Sequence, residues 1–371
     1  MVHIAFIIKK LVFTLQKPYN VDLLGYAKIN REGELVSYDV YGIGNALLDI
    51  QLDVNDEFLT QNDLPKGVMT YVSQTRQTDI IELIGSDNIR QVSSGGSVAN
   101  SMIVLQYFGG KGFFSCKIAQ DEAGTQYHDE LKTSGLDTNY DYQTRPEGET
   151  GRCLVKITPD ADRTMSTNLG ISEFLSESEL HLDALKQSTY LYLEGYLTTS
   201  PLGHQAALKA KQLAEANGVK TAITFSDPAI VSQFKTQFHQ LIDNGVDLVF
   251  CNESEAKEFT ERDTLQDAID QLKTISKTFV ITIGPRGSMV YDGNQLITVP
   301  ATEEKPIDTV GAGDMYAGAF LYGITNGLSW QEAGQLANLT SSKVVTIHGP
   351  RVSLEDTIAL KDELKAMKQA L

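Results

Sequence analysis

The sequence is poor in the features that mark disulfide-rich and nucleic-acid-binding proteins. It has 3 cysteines in 371 residues, far apart and without a Cys-x-x-Cys pair. We therefore expect neither a disulfide framework nor a zinc site, and a reducing cytoplasm is the simplest setting. Acidic side chains outnumber basic ones by 48 to 31, and the net charge of -17 would repel phosphodiester backbones and anionic lipids. We therefore expect no nucleic-acid or membrane partner.

Long hydrophobic runs are also absent. The apolar start, MVHIAFIIKKLVFTLQ, is interrupted by Lys9 and Lys10 before it is long enough to cross a bilayer. It also lacks the longer apolar region and the small-residue cleavage site of a signal peptide. We interpret residues 1–37 as an amino-terminal extension of unknown role.

From Tyr38 onward, strand-like apolar runs alternate with helical patterns. The series begins with YDVYGIG, SVANSMIVLQYFG and GFFSCKIA, and it resumes with TYLYLEGY, HQAALKAKQLAEANG, KTAITFSD and VDLVFCN. This alternation is typical of βαβ units around a parallel sheet, with ligands bound beyond the carboxyl ends of the strands. We predict an α/β fold over residues 38–371, with a doubly wound, mainly parallel sheet and helices on both faces.

Two stretches break this rhythm, at about residues 51–75 and 138–170. In the second stretch, GRCLVKIT and DRTMSTN resemble short strands, and the turn PDA separates them. Strands that are inserted without helices between them often form a small separate sheet. We therefore predict a β-sheet lid, built from two helix-free inserts in the main domain.

The glycine-rich turn DTVGAGD, Asp308 to Asp314, leads into the apolar run MYAGAFLYGI. The apolar run predicts a buried helix, and Gly311 and Gly313 would let free N–H groups converge at its positive end. A plain helix-entry turn is the alternative for a lone Gly-x-Gly. Asp314 favours chemistry, because a carboxylate beside a bound phosphate is electrostatically unfavourable unless it acts as a base for an attacking hydroxyl.

Two further glycine-rich stretches carry polar residues suited to a sugar. In GIGNALLDI, Asn45 and Asp49 follow a strand, and a buried carboxylate there can accept hydrogen bonds from two hydroxyls. In SSGGSVAN, Gly95 and Gly96 precede Asn100 on the first turn of a helix. Simple turns explain both stretches about equally well.

Two later strand ends suggest a metal and phosphate groups. NESEA follows the strand DLVFC, and Asn252 and Glu255 could hold a hydrated Mg²⁺, although Asn-x-x-Glu is also a helix capping box. ITIGPRGS offers Thr282, Gly284 and Gly287 to nucleotide phosphates, or forms an ordinary turn. The combination of strand-end sites for a polyol, a metal and a phosphate in one sheet favours a phosphoryl-transfer enzyme.

SSGGSVAN, NESEA, ITIGPRG and above all DTVGAGDMYAGAF resemble the signatures of the ribokinase, or PfkB, family of carbohydrate and nucleoside kinases, over about residues 38–350. GIGNALLDI, GETGRCLVKITPDADRT, YLYLEGYL and FSDPAI resemble the adenosine kinases within it. The resemblance implies a ribokinase-like fold and transfer of the ATP γ-phosphoryl group to the 5'-hydroxyl of a nucleoside, with adenosine favoured. ATP and Mg²⁺ are the implied cofactors, and a monovalent cation is a further candidate.

The resemblance also implies residue roles. Asp314 would be the base, Arg163 would contact the transferred phosphate, and Asn252 and Glu255 would organise Mg²⁺. The anion hole would be formed by Gly311, Ala312 and Gly313. The nucleoside would be bound by Asn45, Leu47, Asp49, Gly95, Gly96, Asn100 and Tyr196. ATP would be bound by Thr282, Gly284, Gly287, Asp308 and Thr309. Asn338 and Ser342, on the predicted helix EAGQLANLTSSKVV, are assigned to the adenine pocket from their position alone. A solvated lid charge is the alternative for Arg163, and a core aromatic is the alternative for Tyr196.

Three alternatives to adenosine kinase activity remain open at this level. The acceptor could be another nucleoside such as inosine, or a sugar such as ribose or fructose, since diol-binding residues do not report what is attached to C1. A non-catalytic nucleoside sensor on the same fold is the third alternative, and the intact Asp314 disfavours it. The lid strands fit either a monomer or a homodimer.

Overall fold

The computed structural model describes residues 37–140, 144–160 and 162–369. The predicted extension, residues 1–37, lies outside the described residues apart from Ser37. Within the described part of the chain, no helix is both long enough and apolar enough to cross a membrane.

A nine-stranded sheet forms the centre of the main domain, in the spatial order β14-β13-β12-β11-β10-β9-β1-β5-β6. Its strands are β1 (Tyr38–Ile43), β5 (Gly112–Ser115), β6 (Asp137–Thr138), β9 (Ser188–Glu194), β10 (Lys220–Thr224), β11 (Val246–Asn252), β12 (Ser276–Thr282), β13 (Ser288–Tyr291) and β14 (Leu296–Val299). In this spatial order, every neighbouring pair from β12 across to β6 is parallel. The two pairs at the other edge, β12 with β13 and β13 with β14, are antiparallel. The predicted mainly parallel α/β fold is confirmed.

The helices of the described residues are mostly the crossovers between these strands. They are α1 (Asp56–Gln61), α2 (Gln74–Ile84), α3 (Ser97–Tyr107), α4 (Glu122–Ser134), α5 (Leu182–Lys186), α6 (Pro201–Ala216), α7 (Pro228–Gln233), α8 (Lys235–Ile242), α9 (Glu253–Thr260), α10 (Leu265–Ile275), α11 (Ala312–Thr325), α12 (Trp330–Val344) and α13 (Leu354–Gln369).

Helices α3 and α11 pack against each other at the centre of the main hydrophobic core. Met315 to Leu321 of α11 and Val98 to Leu105 of α3 are all buried, as expected for helices that are apolar on nearly every side. Gly318 allows the close approach, because a Cβ there would overlap the carbonyl oxygen of Ser101. The amino-terminal turns of the two helices therefore lie side by side.

A second sheet of five strands forms the predicted small β structure, in the order β3-β8-β7-β2-β4. Its strands are β2 (Leu47–Asp53), β3 (Met69–Tyr71), β4 (Ile89–Gly95), β7 (Thr150–Ile157) and β8 (Arg163–Gly170). The expectation of helix-free inserts is wrong for the first one, since α1 lies within residues 51–75 and α2 begins there. The sheet also extends beyond the predicted segments, because β2 starts at Leu47 and β4 joins the edge.

Candidate active site

The glycine-rich turn forms the start of α11. Gly311 precedes the helix with a φ of 77°, and a Cβ there would overlap the carbonyl oxygen of Pro350, so this position requires glycine. Gly313 lies in the first helical turn, and a Cβ on it would meet no atom within 4 Å. The first N–H groups of a helix have no partner within the helix and attract anions. The turn therefore offers backbone donors beside open space.

Asp314 is held by the amino-terminal turn of α3. Ser97 Oγ donates to Asp314 Oδ1 over 2.6 Å, and Asn100 Nδ2 donates to Asp314 Oδ2 over 2.9 Å. Burial raises the pKa of the Asp314 carboxyl, and these two hydrogen bonds oppose that rise. The carboxylate is thus fixed at the entrance to α11, next to the donors of the turn.

A second carboxylate, Glu194, lies at the carboxyl end of β9. Since β9 and β1 are parallel neighbours, their ends meet, and Glu194 accepts hydrogen bonds from the backbone N–H groups of Asn45 (3.1 Å) and Val98 (3.0 Å). Glu194 is only 1% exposed, and burial raises the pKa of its carboxyl to about 7, with Asp314 adding to the effect. Glu194 fixes the loop that carries Asn45.

The small sheet supplies the opposite wall of the site. Leu47 and Asp49 of β2 lie two residues apart and so share one face of the sheet. Gly95 lies directly against the Asp49 carboxylate, where a Cβ would overlap it. Burial raises the pKa of Asp49 to about 7; Arg351 opposes this rise, while Asp314 and Glu130 add to it.

Arg163 on β8 reaches across the site to the glycine-rich turn. Its Nη1 donates to the Thr309 carbonyl oxygen over 3.1 Å and to Thr309 Oγ1 over 2.9 Å. On the other side of the site, the Tyr71 hydroxyl of β3 donates to Thr199 Oγ1 over 3.1 Å. The small sheet therefore contacts the main domain through both β3 and β8, and Arg163 is not simply a solvated lid charge.

Asn252 and Glu255 form a complete capping box at the start of α9. Asn252 Oδ1 accepts from the Glu255 N–H over 2.8 Å, and Glu255 Oε2 accepts from the Asn252 N–H over 2.9 Å. Both residues nevertheless line the central cavity. Glu255 is 5% exposed, and burial, with help from Asp227 and Asp314, raises the pKa of its carboxyl to about 7. In the described residues no group of three or more His, Cys, Asp or Glu side chains could hold a metal.

The two sheets enclose a cavity of ≈ 370 Å³, which is within the usual size of a small-molecule site. The predicted residues that line it are Asn45, Leu47, Asp49, Gly96, Asn100, Arg163, Tyr196, Asn252, Glu255, Thr282, Thr309, Gly311, Ala312, Gly313 and Asp314. The structure thus brings together the residues predicted for the base, the anion hole and the metal. It also brings together those predicted for the polyol, except Gly95, which lies against the Asp49 carboxylate and does not line the cavity.

Five residues predicted to contact ATP do not line this cavity: Gly284, Gly287, Asp308, Asn338 and Ser342. The buried Asp308 carboxylate accepts hydrogen bonds from the N–H groups of Val310 and Gly349. Asn338 Nδ2 donates to the carbonyl oxygens of Val299 and Pro300. Asp308 and Asn338 thus hold the loops before α11, and the nucleotide contacts of all five residues stay predictions.

Sequence reasoning missed several polar residues in and around the site, among them Tyr71, Thr167, Thr224 and Ser226 of the cavity wall. Three more hold the predicted site residues in place. Glu194 is the last residue of β9, as Asn252 is of β11, and its place in YLYLEGYL is its only local signal. Ser97 lies within SSGGSVAN, but its bond to Asp314 depends on the packing of α3 against α11. Arg351, which donates to Asn100 Oδ1 over 2.7 Å, lies 251 residues away and had no local signal.

Taken together, the backbone donors at a helix amino terminus, the adjacent carboxylate and the polar cavity define a phosphotransferase that uses a hydroxyl group as acceptor. Comparison with known proteins agrees. The model of the pfkB family of carbohydrate kinases matches residues 84–357, and the chain belongs to this family.

Individual relatives include both nucleoside and sugar kinases. The chain is 28% identical to an adenosine kinase of Saccharomyces cerevisiae over 307 residues, which cover 77% of this chain and 88% of that protein. A solved adenosine kinase of Sinorhizobium meliloti is 33% identical, with a TM-score of 0.81 and coverage of 91% of this chain and 100% of its own. A solved probable sugar kinase of Rhizobium etli is 30% identical, with a TM-score of 0.82 and coverage of 89% and 100%.

Proposed function

We propose that this nucleoside or sugar kinase transfers the γ-phosphoryl group of ATP to the 5'-hydroxyl of adenosine, which gives AMP and ADP. The observation that carries the choice of a nucleoside is the number of apolar and aromatic side chains in the cavity wall. The Asp314 carboxylate and the glycine-rich turn line the cavity together with apolar side chains of the small sheet.

The apolar wall comes from alternate residues of the lid strands. Met165 and Leu169 of β8 line the cavity together with Leu47 of β2. Tyr71 and Tyr196 add aromatic rings, which can lie against a planar base. A free sugar has no apolar group large enough to cover this wall, whereas a purine does. The composition of the wall therefore favours an acceptor with a base attached to the sugar.

In the proposed reaction, Asp314 accepts the proton of the attacking 5'-hydroxyl. An ionised carboxylate suffices, because in a loose phosphoryl-transfer transition state the hydroxyl proton leaves late. The N–H groups of Gly311, Ala312 and Gly313 would stabilise the negative charge on the transferred group. Arg163 adds positive charge at the same turn. The lid contacts through Arg163 and Tyr71 would keep water away from the phosphoryl group.

The cavity has more acidic than basic side chains, so it would bind the negative phosphates of ATP only together with a cation. Carboxyl groups of Asp49, Glu194, Glu255 and Asp314 line the cavity, and Arg163 is the one Arg or Lys side chain among its described lining residues. Membership in this kinase family implies ATP and typically Mg²⁺, which supplies positive charge to the phosphates. Asn252 and Glu255 are occupied by their capping box, so they would hold a hydrated ion through its waters.

A sugar acceptor is the second candidate, and Glu194 is the observation that favours it. A buried carboxylate in the cavity can accept a hydrogen bond from a sugar hydroxyl, in addition to the two backbone N–H groups it already binds. Ribose and fructose offer a hydroxyl group in place of the base.

The deciding experiment measures ADP release with Mg-ATP and compares kcat/KM for adenosine, inosine, ribose and fructose. We expect adenosine to exceed each sugar by about a hundredfold or more, equivalent to roughly 2.7 kcal/mol of transition-state discrimination. A higher kcat/KM for ribose or fructose would reject the adenosine assignment and support the sugar kinase. Tight binding of adenosine without ADP formation would instead support a sensor.

A further inference from the structure

Arg351 lies behind the candidate active site, in the segment between α12 and α13. Its side chain is 14% exposed and donates to three acceptors. Nη1 donates to Asn100 Oδ1 over 2.7 Å and to the carbonyl oxygen of Ser94, and Nη2 donates to Glu130 Oε2 over 3.0 Å. Arg351 does not line the cavity, so it has no access to the substrate.

Glu130 holds the guanidinium group in place. Its Oε2 also accepts from the Ser94 N–H over 2.8 Å and from Ser94 Oγ over 2.6 Å. This carboxylate therefore connects α4, the end of β4 and Arg351. The guanidinium group of Arg351 is therefore held by Glu130 and by the Ser94 carbonyl oxygen, in addition to its contact with Asn100.

The contact with Arg351 determines which way the Asn100 amide faces. A guanidinium group has only donors, so it pairs with the amide oxygen and not with the amide nitrogen. The Asn100 side chain is 3% exposed, and with its oxygen on Arg351 its Nδ2 must face Asp314, to which it donates over 2.9 Å. A flipped amide would place NH₂ against the guanidinium group and a carbonyl oxygen against the Asp314 carboxylate.

We propose that Arg351 is a positioning residue for phosphoryl transfer: it locks the Asn100 amide so that this amide donates to Asp314. The chain of contacts runs from Glu130 through Arg351 and Asn100 to the proposed base. This inference rests on the proposed function only in the role it gives to Asp314. It does not depend on whether the acceptor is adenosine or a sugar.

The contacts also predict the direction of a pH effect. Without Arg351, the Asn100 amide is held by Asp314 alone, so the Asp314 carboxylate loses a nearby positive charge and keeps a less firmly positioned donor. Both changes favour the protonated carboxyl and move the acidic limb of kcat to higher pH. The other groups that act electrostatically on Asp314 are Arg163, Asp49, Tyr192, Glu194 and Glu255, and none of them is altered by a change at position 351.

The test compares Arg351→Met with a matched control, Arg90→Met. Arg90 pairs with Asp53 and with His348 near the same segment, but it has no contact with Asn100 or Asp314. We expect Arg351→Met to lower kcat by about tenfold to a hundredfold, because a small displacement of a catalytic group from its productive position has an effect of this order. Its acidic limb should move to higher pH, while Arg90→Met keeps the wild-type kcat and pH profile.

A double-variant cycle tests whether the effect passes through Asn100. In an Asn100→Ala background, and at a pH above the acidic limb of both variants, Arg351→Met should change kcat by no more than about twofold, since the amide that Arg351 orients is absent. Equal effects of Arg351→Met with and without Asn100 would overturn the proposal. So would a lower kcat with an unmoved acidic limb, because a merely structural role reduces the active fraction without changing the titration of Asp314.

A titration that needs no turnover separates this proposal from the proposed function. Carbon-13 labelling of aspartate carboxyls, with the Asp314 signal assigned by its absence in Asp314→Asn, reports the titration of Asp314 directly. We expect its midpoint to move to higher pH in Arg351→Met and to stay unchanged in Arg90→Met. An unchanged midpoint in Arg351→Met would refute the positioning role even in a protein that phosphorylates no nucleoside or sugar.

Discussion

Replacing Gly313 with alanine should separate the stability of this protein from its activity. Gly313 lies in the first turn of α11 and lines the cavity, and the space beside its Cα is open. Alanine is favoured over glycine inside a helix by roughly 0.5–1 kcal/mol, so Gly313→Ala should be at least as stable as the wild type.

The same methyl group should block the proposed anion hole. In a helix each Cα–Cβ bond tilts toward the amino terminus, so the new methyl projects toward the region where a phosphoryl group would meet the N–H groups of the turn. Loss of a single donor to a transition-state oxyanion costs about a hundredfold to a thousandfold in kcat. We therefore expect kcat/KM to fall by at least about a hundredfold.

The assay pairs urea unfolding with ADP release, and Gly311→Ala serves as the contrasting variant. Gly311 has a φ of 77° and touches Pro350, so alanine there should lower the free energy of unfolding by more than about 1 kcal/mol. If Gly313→Ala keeps the wild-type kcat/KM, the phosphoryl group does not approach the turn and the anion-hole assignment is refuted.

Two further predictions concern the buried carboxylates. Asp314→Asn should keep the fold, because the Ser97 hydroxyl can rotate to accept a hydrogen bond from the new amide. It should lower kcat about a hundredfold or more with little change in substrate affinity. Full turnover by this variant would refute the assignment of Asp314 as the base. Burial raises the pKa of Glu194 from 4.5 to about 7, so the folded protein holds this proton more tightly than the unfolded chain does. Relative to Glu194→Gln, the wild type should therefore lose up to roughly 3 kcal/mol of unfolding free energy as the pH rises from 4.5 to 7, with no further loss above pH 7. If the unfolding free energies of the two proteins change in parallel with pH, this prediction is wrong.

The sequence predicted the main sheet well because its signals are local. Each strand carries its own apolar run, and parallel strands end at one edge, so Asn45, Asn252 and Asp314 could be expected to converge from their positions after strands or before a helix. DTVGAGD was the most informative stretch, since its glycines and the buried helix that follows are consecutive in the chain.

The lid was harder to predict, because its strand pairs are distant in sequence. Asp49 of β2 lies between Ser93 of β4 and Cys153 of β7, which is about a hundred residues further along the chain. No local pattern reports such a pairing, so the lid was predicted too small. The helix α2 beside it was missed, because a polar amphipathic segment in QTRQTDIIELI is weakly periodic.

The contacts that orient Asp314 could not be predicted from the sequence either, because they join residues that are distant along the chain. Asn100 was expected to bind the substrate, and in the structure its amide donates to Asp314 and accepts from Arg351. The contact of Glu194 with the Asn45 loop depends on the pairing of β9 with β1, which no local sequence pattern predicts. Motifs predict which residue types a site contains, whereas the partners of each side chain depend on how distant elements pack.

The most direct test of the account is to incubate the protein with Mg-ATP and adenosine, and in parallel with 5'-deoxyadenosine, and to quantify every nucleotide formed. The account predicts one AMP for each ADP with adenosine, and neither AMP nor ADP above background with 5'-deoxyadenosine, which lacks the acceptor hydroxyl. ADP formed together with free phosphate, or no reaction with adenosine, would contradict transfer to the 5'-hydroxyl of a nucleoside.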